Sequence, residues 1–151
     1  MTIHYKTLSG EQMYKDYYGF GENPIDATLF YRLQYLHVNE MTKETHIIAL
    51  NSNKVIGDVG LQINPYDTSV LWFKHVVLDQ EYRNQGISKE LINKAVEYAI
   101  DKNMKLEISS YSEDGRRYLS NIFLNLFHQY PGIIIPNSDM KEDLDNQGLR
   151  F

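Results

Sequence analysis

The 151-residue chain contains no cysteine, which excludes disulfides, thiolate zinc sites and a cysteine nucleophile. No apolar run approaches the roughly 20 residues of a membrane-spanning helix. The N-terminal Met1-Thr-Ile-His-Tyr-Lys6 lacks the apolar core of a secretory leader, so a cytoplasmic location is expected. Long basic runs are missing and the net charge is −5, which argues against general nucleic-acid binding through phosphates. The five histidines, His4, His37, His46, His75 and His128, show no HExxH or comparable spacing, so no metal is expected. There is no GxxxxGK[ST] nucleotide loop. Gly19-Phe-Gly21, the only G-x-G, lacks a third glycine and follows Tyr17-Tyr18 rather than a strand, a weak match to a dinucleotide fingerprint. Internal repeats and low-complexity segments are likewise absent. With 42% hydrophobic residues the chain can bury a real core, and a single domain over residues 1–151 is expected.

What is present is concentrated between Val70 and Ser110. Val70-Leu-Trp-Phe-Lys-His-Val-Val-Leu78 reads as a largely buried strand, and Asp79 to Ser88 as a loop. Lys89 to Lys102 reads as a helix, with apolar pairs Leu91/Ile92, Ala95/Val96 and Ala99/Ile100 recurring every three to four residues. Met104 to Ser110 reads as the next strand. A strand, a crossover helix and a strand beside the first form a right-handed βαβ unit. The loop then lies at the carboxyl end of the first strand, against a helix N-terminus. Free backbone N–H groups and the positive end of the helix dipole make that position an anion site. In Arg83-x-x-Gly86-x-Ser88, Gly86 permits close backbone approach to a pyrophosphate, Ser88 is small enough to clear the first helical turn, and Arg83 adds charge at the rim. The same pattern also occurs as an ordinary loop in which the glycine serves only the turn.

The run from Val76 to Ile92 resembles the acetyl-CoA signature of the GNAT superfamily of N-acetyltransferases: a strand, then [Arg/Gln]-x-x-Gly-x-[Gly/Ala], then a helix. Ser88 departs from the final position but stays small. The second landmark of that family, a Tyr five residues before a Phe, is matched by Tyr118-Leu-Ser-Asn-Ile-Phe123. Ile122 stands where a Gly usually precedes the Phe, and Tyr111 where an Asn usually lies seven residues before the Tyr. The resemblance implies an α/β (α+β) fold: a mixed, mostly antiparallel sheet with flanking helices and a βαβ cofactor unit. It also implies acetyl-CoA as co-substrate, held by Val76, Val77, Leu78, Arg83, Asn84, Gln85, Gly86, Ile87, Ser88 and Lys89.

The remaining segments suit that order. Ile3–Leu8 reads as a strand and Gly10–Phe20 as a short helix. Asn23-Pro24-Ile25-Asp26 is a helix start, with an Asn cap and Pro at the first helical position, after which Leu29, Phe30, Leu33 and Leu36 share a face. Thr45–Leu50 and Lys54–Ile63 read as strands joined by the polar turn Asn51-Ser-Asn53. Asn64 to Ser69 turns the chain back into Val70. The stretch from Asp139 to Phe151 reads as either a final strand or a tail.

The chemistry that the resemblance implies is attack of an amine on the acetyl thioester. A backbone N–H near Val76 or Val77 would polarise the carbonyl. Tyr118 would protonate the departing thiolate, as a phenol with a pKa of about 10 can; among twelve tyrosines, a packing role is the plain alternative. The base is open. Val70–Leu78 carries no carboxylate, and His75 has a suitable intrinsic pKa, although a lone strand histidine is commonly structural. Asp58 and Glu107 are further candidates, as are a water chain or an amine that arrives neutral. Tyr14/Tyr18 and Tyr31/Tyr35 are i,i+4 pairs that, with Phe20, could wall an amine pocket or simply pack. Glu22, Asp26 and the acidic stretch Asp139–Asp145 could attract a cation or merely be solvated. The acceptor would be a small-molecule or peptide amine, with no nucleic acid and no membrane, and a homodimer through sheet edges is among the assemblies the resemblance implies. A non-catalytic module that keeps the fold, with or without CoA, is the alternative of a different class.

Overall fold

The computed structural model describes residues 2–18 and 43–147. The helix start at Asn23–Asp26, the apolar face of Leu29, Phe30, Leu33 and Leu36, the Gly19-Phe-Gly21 segment, Phe20, Glu22, the Tyr31/Tyr35 pair, His37 and the terminal Leu149-Arg-Phe151 lie outside the described residues.

The sheet has six strands in the order β1-β2-β3-β4-β5-β6: β1 Ile3–Ser9, β2 Thr45–Asn51, β3 Lys54–Ile63, β4 Val70–Leu78, β5 Lys105–Ile108 and β6 Ile134–Ile135. β1–β2 and β2–β3 are antiparallel, whereas β4–β5 and β5–β6 are parallel. Helix α1 is Gly10–Met13, running into a wider π-type turn at Tyr14–Tyr18; α2 is Ile87–Asp101, α3 Glu113–Gln129 and α4 Ser138–Asn146. The α/β architecture and mixed, mostly antiparallel sheet agree with the expected fold class, and Val70–Leu78 and Lys54–Ile63 coincide with their expected bounds.

Backbone contacts divide the chain into two compact units, Met1–Gln62 with Lys74–Ala95, and Ile63–Phe73 with Val96–Phe151. In the first unit, strand alternation sorts side chains by face. The register sets His46 opposite Gly60 and Ile48 opposite Asp58 on one face, and Ala49 opposite Gly57 on the other, with a bulge between Ala49 and Leu50. On the second of these faces a Cβ at Gly57 would meet Leu91 at 3.0 Å, Leu78 at 3.2 Å and Ala49 at 3.5 Å. The bare glycine thus lets α2 approach the sheet. Leu91, Ile92 and Ala95 are fully buried there, and each large side chain removed from water in this way contributes about 1.5–3 kcal/mol. On the opposite face Met13, Tyr17, Ile48, Leu50 and Val55 cluster, with Leu8 and Val77 packed against them.

In the second unit, α2 ends in a Schellman motif: Asn103 N–H donates to Ile100 O at 3.0 Å and Met104 N–H to Ala99 O at 2.9 Å. Asn103 takes the left-handed conformation that this stop requires (φ 56°). α3 starts at Ser112, whose Oγ accepts from Gly115 N–H at 3.0 Å. Phe123 is fully buried, edge-on to Phe73 at 5.2 Å and stacked with Tyr111 at 5.9 Å.

The stretch after Pro136 is a helix rather than the strand or tail its composition suggested. Asn137 caps it, accepting from Met140 N–H at 2.8 Å and donating through Nδ2 to Ser109 O at 2.9 Å. Met140 and Leu144, one turn apart, are fully buried. The acidic residues that looked like a solvated run have a partner in Arg116, which holds Asp139 at 3.0 Å and Asp143 at 3.1 Å; Ser120 donates to Asp143 at 2.8 Å. Their charge is spent on joining α4 to α3.

Candidate functional site

The strand–loop–helix unit brings the sequence-predicted loop residues together along one continuous path. Asp79 terminates β4: its N–H donates to Ile56 O at 2.8 Å, and its carboxylate caps the 3₁₀ turn Gln80–Tyr82 by accepting from Glu81 N–H at 3.1 Å. Asn51 Nδ2 donates to the Tyr82 hydroxyl at 2.8 Å, which ties the loop to the β2–β3 turn. The chain then passes through two left-handed positions, Asn84 (φ 65°) and Gly86 (φ 79°). Asparagine tolerates this region and glycine favours it. Among the described residues, its own chain neighbours aside, no atom lies within 4 Å of where a Cβ at Gly86 would stand, so its backbone is open to an incoming group on that side.

Glu90 N–H donating to Gly86 O at 3.1 Å closes the first turn of α2. The amides of Ile87, Ser88 and Lys89 therefore precede the first intrahelical bond and form the positive end of the helix. Ile87 is buried and anchors the turn, Arg83 and Ser88 are half-buried, and Asn84, Gln85 and Lys89 are exposed. Upstream, Val76 and Val77 are half-buried and Leu78 is buried. An open glycine, a row of helix-end amides and two cations can cradle a pyrophosphate.

In the second unit, Tyr118 lies on α3 and is 62% exposed. Tyr111, which stacks on Phe123, differs: burial pushes its hydroxyl well above the usual phenol range. Glu107 is half-buried on β5, paired in register with Trp72 and Ile135.

Sequence reasoning missed a buried chain of ionisable groups in the first unit. Asp58, fully buried, joins two histidines: His46 Nδ1 lies 2.8 Å from its Oδ1 and His75 Nε2 lies 2.7 Å from its Oδ2. His46 Nε2 faces Glu44 Oε2 at 3.2 Å, and Lys74 Nζ lies 3.4 Å from Glu44 Oε1. The side chains of Glu44, His46 and Asp58 are wholly inaccessible, while those of His75 and Lys74 keep 17% and 27% exposure. Burial alone would raise the Asp58 carboxyl, but the charge and hydrogen bond of His46, with those of His75, outweigh it and bring it down to about 2. Donor atoms of Glu44, His46 and His75 come within 4.8 Å of one another, a clustering that linear spacing hid because it joins β2 and the residue before it to β4. Asp58 and Lys74 already serve as counter-ions to this group.

Three of the residues weighed as bases or passed over as lone histidines thus form one assembly. The only linear trace of it was Asp58 between Gly57 and Gly60. A Cβ at Gly60 would stand 2.2 Å from His75 Cε1, so the glycine makes room for the ring.

Residues 9–118 match the Acetyltransferase (GNAT) family. No curated protein matches the chain. Among solved structures, a ribosomal-protein-alanine N-acetyltransferase from Brucella melitensis biovar Abortus 2308 is similar over 80% of this chain and 90% of its own, at 16% identity and a TM-score of 0.55. An aminoglycoside N-acetyltransferase solved with CoA is similar over 79% of this chain and 89% of its own, at 14% identity and a TM-score of 0.55. The chain spans 47% of the length of an acetyltransferase of Bacillus anthracis str. Ames solved with acetyl coenzyme A, at 23% identity over 53% of this chain and a TM-score of 0.46. Identities this low speak for the fold; the match over residues 9–118 covers most of the chain and carries both the glycine loop and Tyr118. The chain belongs to the GNAT family of acetyltransferases, for which acetyl-CoA is the co-substrate.

Proposed function

We propose that the protein transfers the acetyl group of acetyl-CoA to a primary amine of a small molecule or peptide, by direct attack within a ternary complex. The observation that carries this reading is the loop at the end of β4, where Gly86 at φ 79° presents bare backbone directly before the free amides of α2. In this reading Arg83 to Lys89 hold the pyrophosphate. An amide near Val76 or Val77 hydrogen-bonds the thioester oxygen as charge develops on it. Tyr118, exposed on α3, gives its proton to the leaving thiolate. The named neighbours support an amine acceptor, since one acts on a ribosomal-protein alanine and another on aminoglycosides.

The test is thiol release from acetyl-CoA with and without a panel of primary amines, small and peptidic. Amine-dependent release is expected, with the acetylated amine identified by mass. Tight acetyl-CoA binding with no release across the panel would instead favour a CoA-binding module that does no chemistry.

A further inference from the structure

The buried charges of the first unit stand outside the loop assigned to the cofactor, and they are costly. An isolated ion placed in a protein interior loses several kcal/mol of hydration even after relaxation, and the fold buries Glu44, His46 and Asp58 completely. Their arrangement determines where the protons lie. His46 has a carboxylate oxygen opposite each ring nitrogen, Asp58 at 2.8 Å and Glu44 at 3.2 Å. A neutral imidazole carries one N–H only, so the ring that hydrogen-bonds Asp58 and also presents positive charge to Glu44, which it meets as an ion pair rather than a hydrogen bond, is the imidazolium. With Lys74 beside Glu44, two carboxylates are balanced by two cations, and His75 is the remaining member of the chain. Asp58 accepts at Oδ2 from His75 Nε2, which fixes that ring as the Nε2–H tautomer and leaves Nδ1 as its basic nitrogen. A carboxylate behind an imidazole sets the tautomer and stabilises the imidazolium that forms when the ring takes a proton.

We propose that His75 Nδ1 is the general base that deprotonates the acceptor amine, with Asp58 as its positioning residue, His46 as the buried counter-charge that keeps Asp58 ionised, and Glu44 behind His46 as the counter-charge of that ring. The proposal rests on the transferase reading and names the base that β4 otherwise lacks. His75 stands one residue before Val76, on the strand whose amides are assigned to the thioester oxygen, and of the two histidines paired with Asp58 it is the one that retains solvent exposure. The proton balance closes. The ammonium form of the acceptor gives one proton to His75 Nδ1. The free amine forms the C–N bond as the C–S electron pair leaves with sulfur, and the thiolate takes a proton from the acid. The second amine proton replaces that one, and His75 returns its own to solvent. Net, acetyl-CoA and an ammonium give an acetamide, the CoA thiol and a proton.

Two variants and one spectrum test it. His75→Gln keeps a polar side chain of similar reach but has no basic nitrogen, and Asp58→Asn removes the charge but not the shape. With an amine found by the thiol-release panel, His75→Gln is expected to lower kcat by about 10²-fold or more, with acetyl-CoA affinity unchanged. It should also lose the ascending limb of the kcat/KM–pH profile and recover rate with added imidazole. Asp58→Asn should lower kcat less and displace that limb. The described groups facing His75 are Asp58 from β3, His46 from β2 with ring centres 6.0 Å apart, and Glu44 just before β2, within 4.8 Å; Lys74, next to it on β4, reaches Glu44. Each therefore belongs in the interpretation of the profile. Ring ¹⁵N spectra of the wild type should show His75 as the Nε2–H tautomer and His46 with both nitrogens protonated.

Unchanged kcat and pH profile in His75→Gln, in a wild type that acetylates the amine, would overturn the base while leaving the transferase reading intact. An Nδ1–H tautomer for His75 would overturn it too. So would loss of activity in EDTA with recovery on adding zinc, which would assign Glu44, His46 and His75 to a cation. A wild type that binds acetyl-CoA and acetylates nothing would fell the transferase reading, and the base with it.

Discussion

The two faces of the β2–β3–β4 sheet in the first unit solve opposite problems. One face lies under α2 and is closed by apolar contact: Leu91 and Leu78 settle against the bare backbone of Gly57. The other carries Glu44, His46, Asp58 and His75 in a chain of ion pairs and hydrogen bonds. Apolar packing is tolerant, because hydrophobes of about the right volume substitute for one another at modest cost. A buried polar chain is not, because removing one member strands the charge of the next. The first face can therefore serve as a scaffold that aims a loop at a ligand, whereas the second has to be kept whole.

The largest expected effect falls on the polar face. Asp58→Ala should destabilise the protein by about 3–5 kcal/mol, the usual cost of removing one partner of a buried pair, measured by chemical denaturation. An effect below about 1 kcal/mol would mean that the chain relaxes as freely as the apolar face. The same carboxyl gives a pH signature. Its folded value of about 2 lies below its ordinary 3.8, so its stabilisation is complete above the ordinary value and is lost as pH falls through about 2. Wild type should lose stability over that interval, and Asp58→Asn should lack this component.

Tyr118→Phe should lower kcat by about 10²-fold with little change in acetyl-CoA affinity; unchanged turnover would remove it from the chemistry. Gly60→Ala is smaller. The added methyl meets the His75 ring, and overpacking of this kind costs typically about 1–3 kcal/mol. Thermal melts should show the loss, and activity should fall with it if the ring must move. Gly57→Ala has its nearest neighbours in the Leu91 and Leu78 side chains at 3.0 and 3.2 Å, and comparing the two variants asks directly which face yields more readily. Smallest is Arg83→Gln, which should weaken acetyl-CoA binding by about tenfold at low salt and less as salt screens the rim charge.

The same contrast explains what the sequence could show. The βαβ unit was legible because its signals are local: an apolar run, a glycine at fixed distance from an arginine, and a 3.6-residue period from Leu91 to Ile100. The start of α2 at Ile87 rather than Lys89 is a two-residue difference at a boundary that Gly86 sets through its conformation. The α4 helix was obscured because its acidic residues look solvated until Arg116, more than twenty positions away, is seen to hold them. The His46–Asp58–His75 chain was hidden for the same reason, since each member is unremarkable alone and the grouping exists only in the β2–β3–β4 register.

The most direct test of the account is calorimetric titration of wild type and Gly86→Glu with acetyl-CoA, each protein checked for its fold by circular dichroism. The account predicts saturable binding by the wild type and loss of binding by the folded variant, because a carboxylate at φ 79° strains the loop and places like charge at the pyrophosphate position. Equal affinity in the two proteins would contradict it and move the cofactor away from the loop that follows β4.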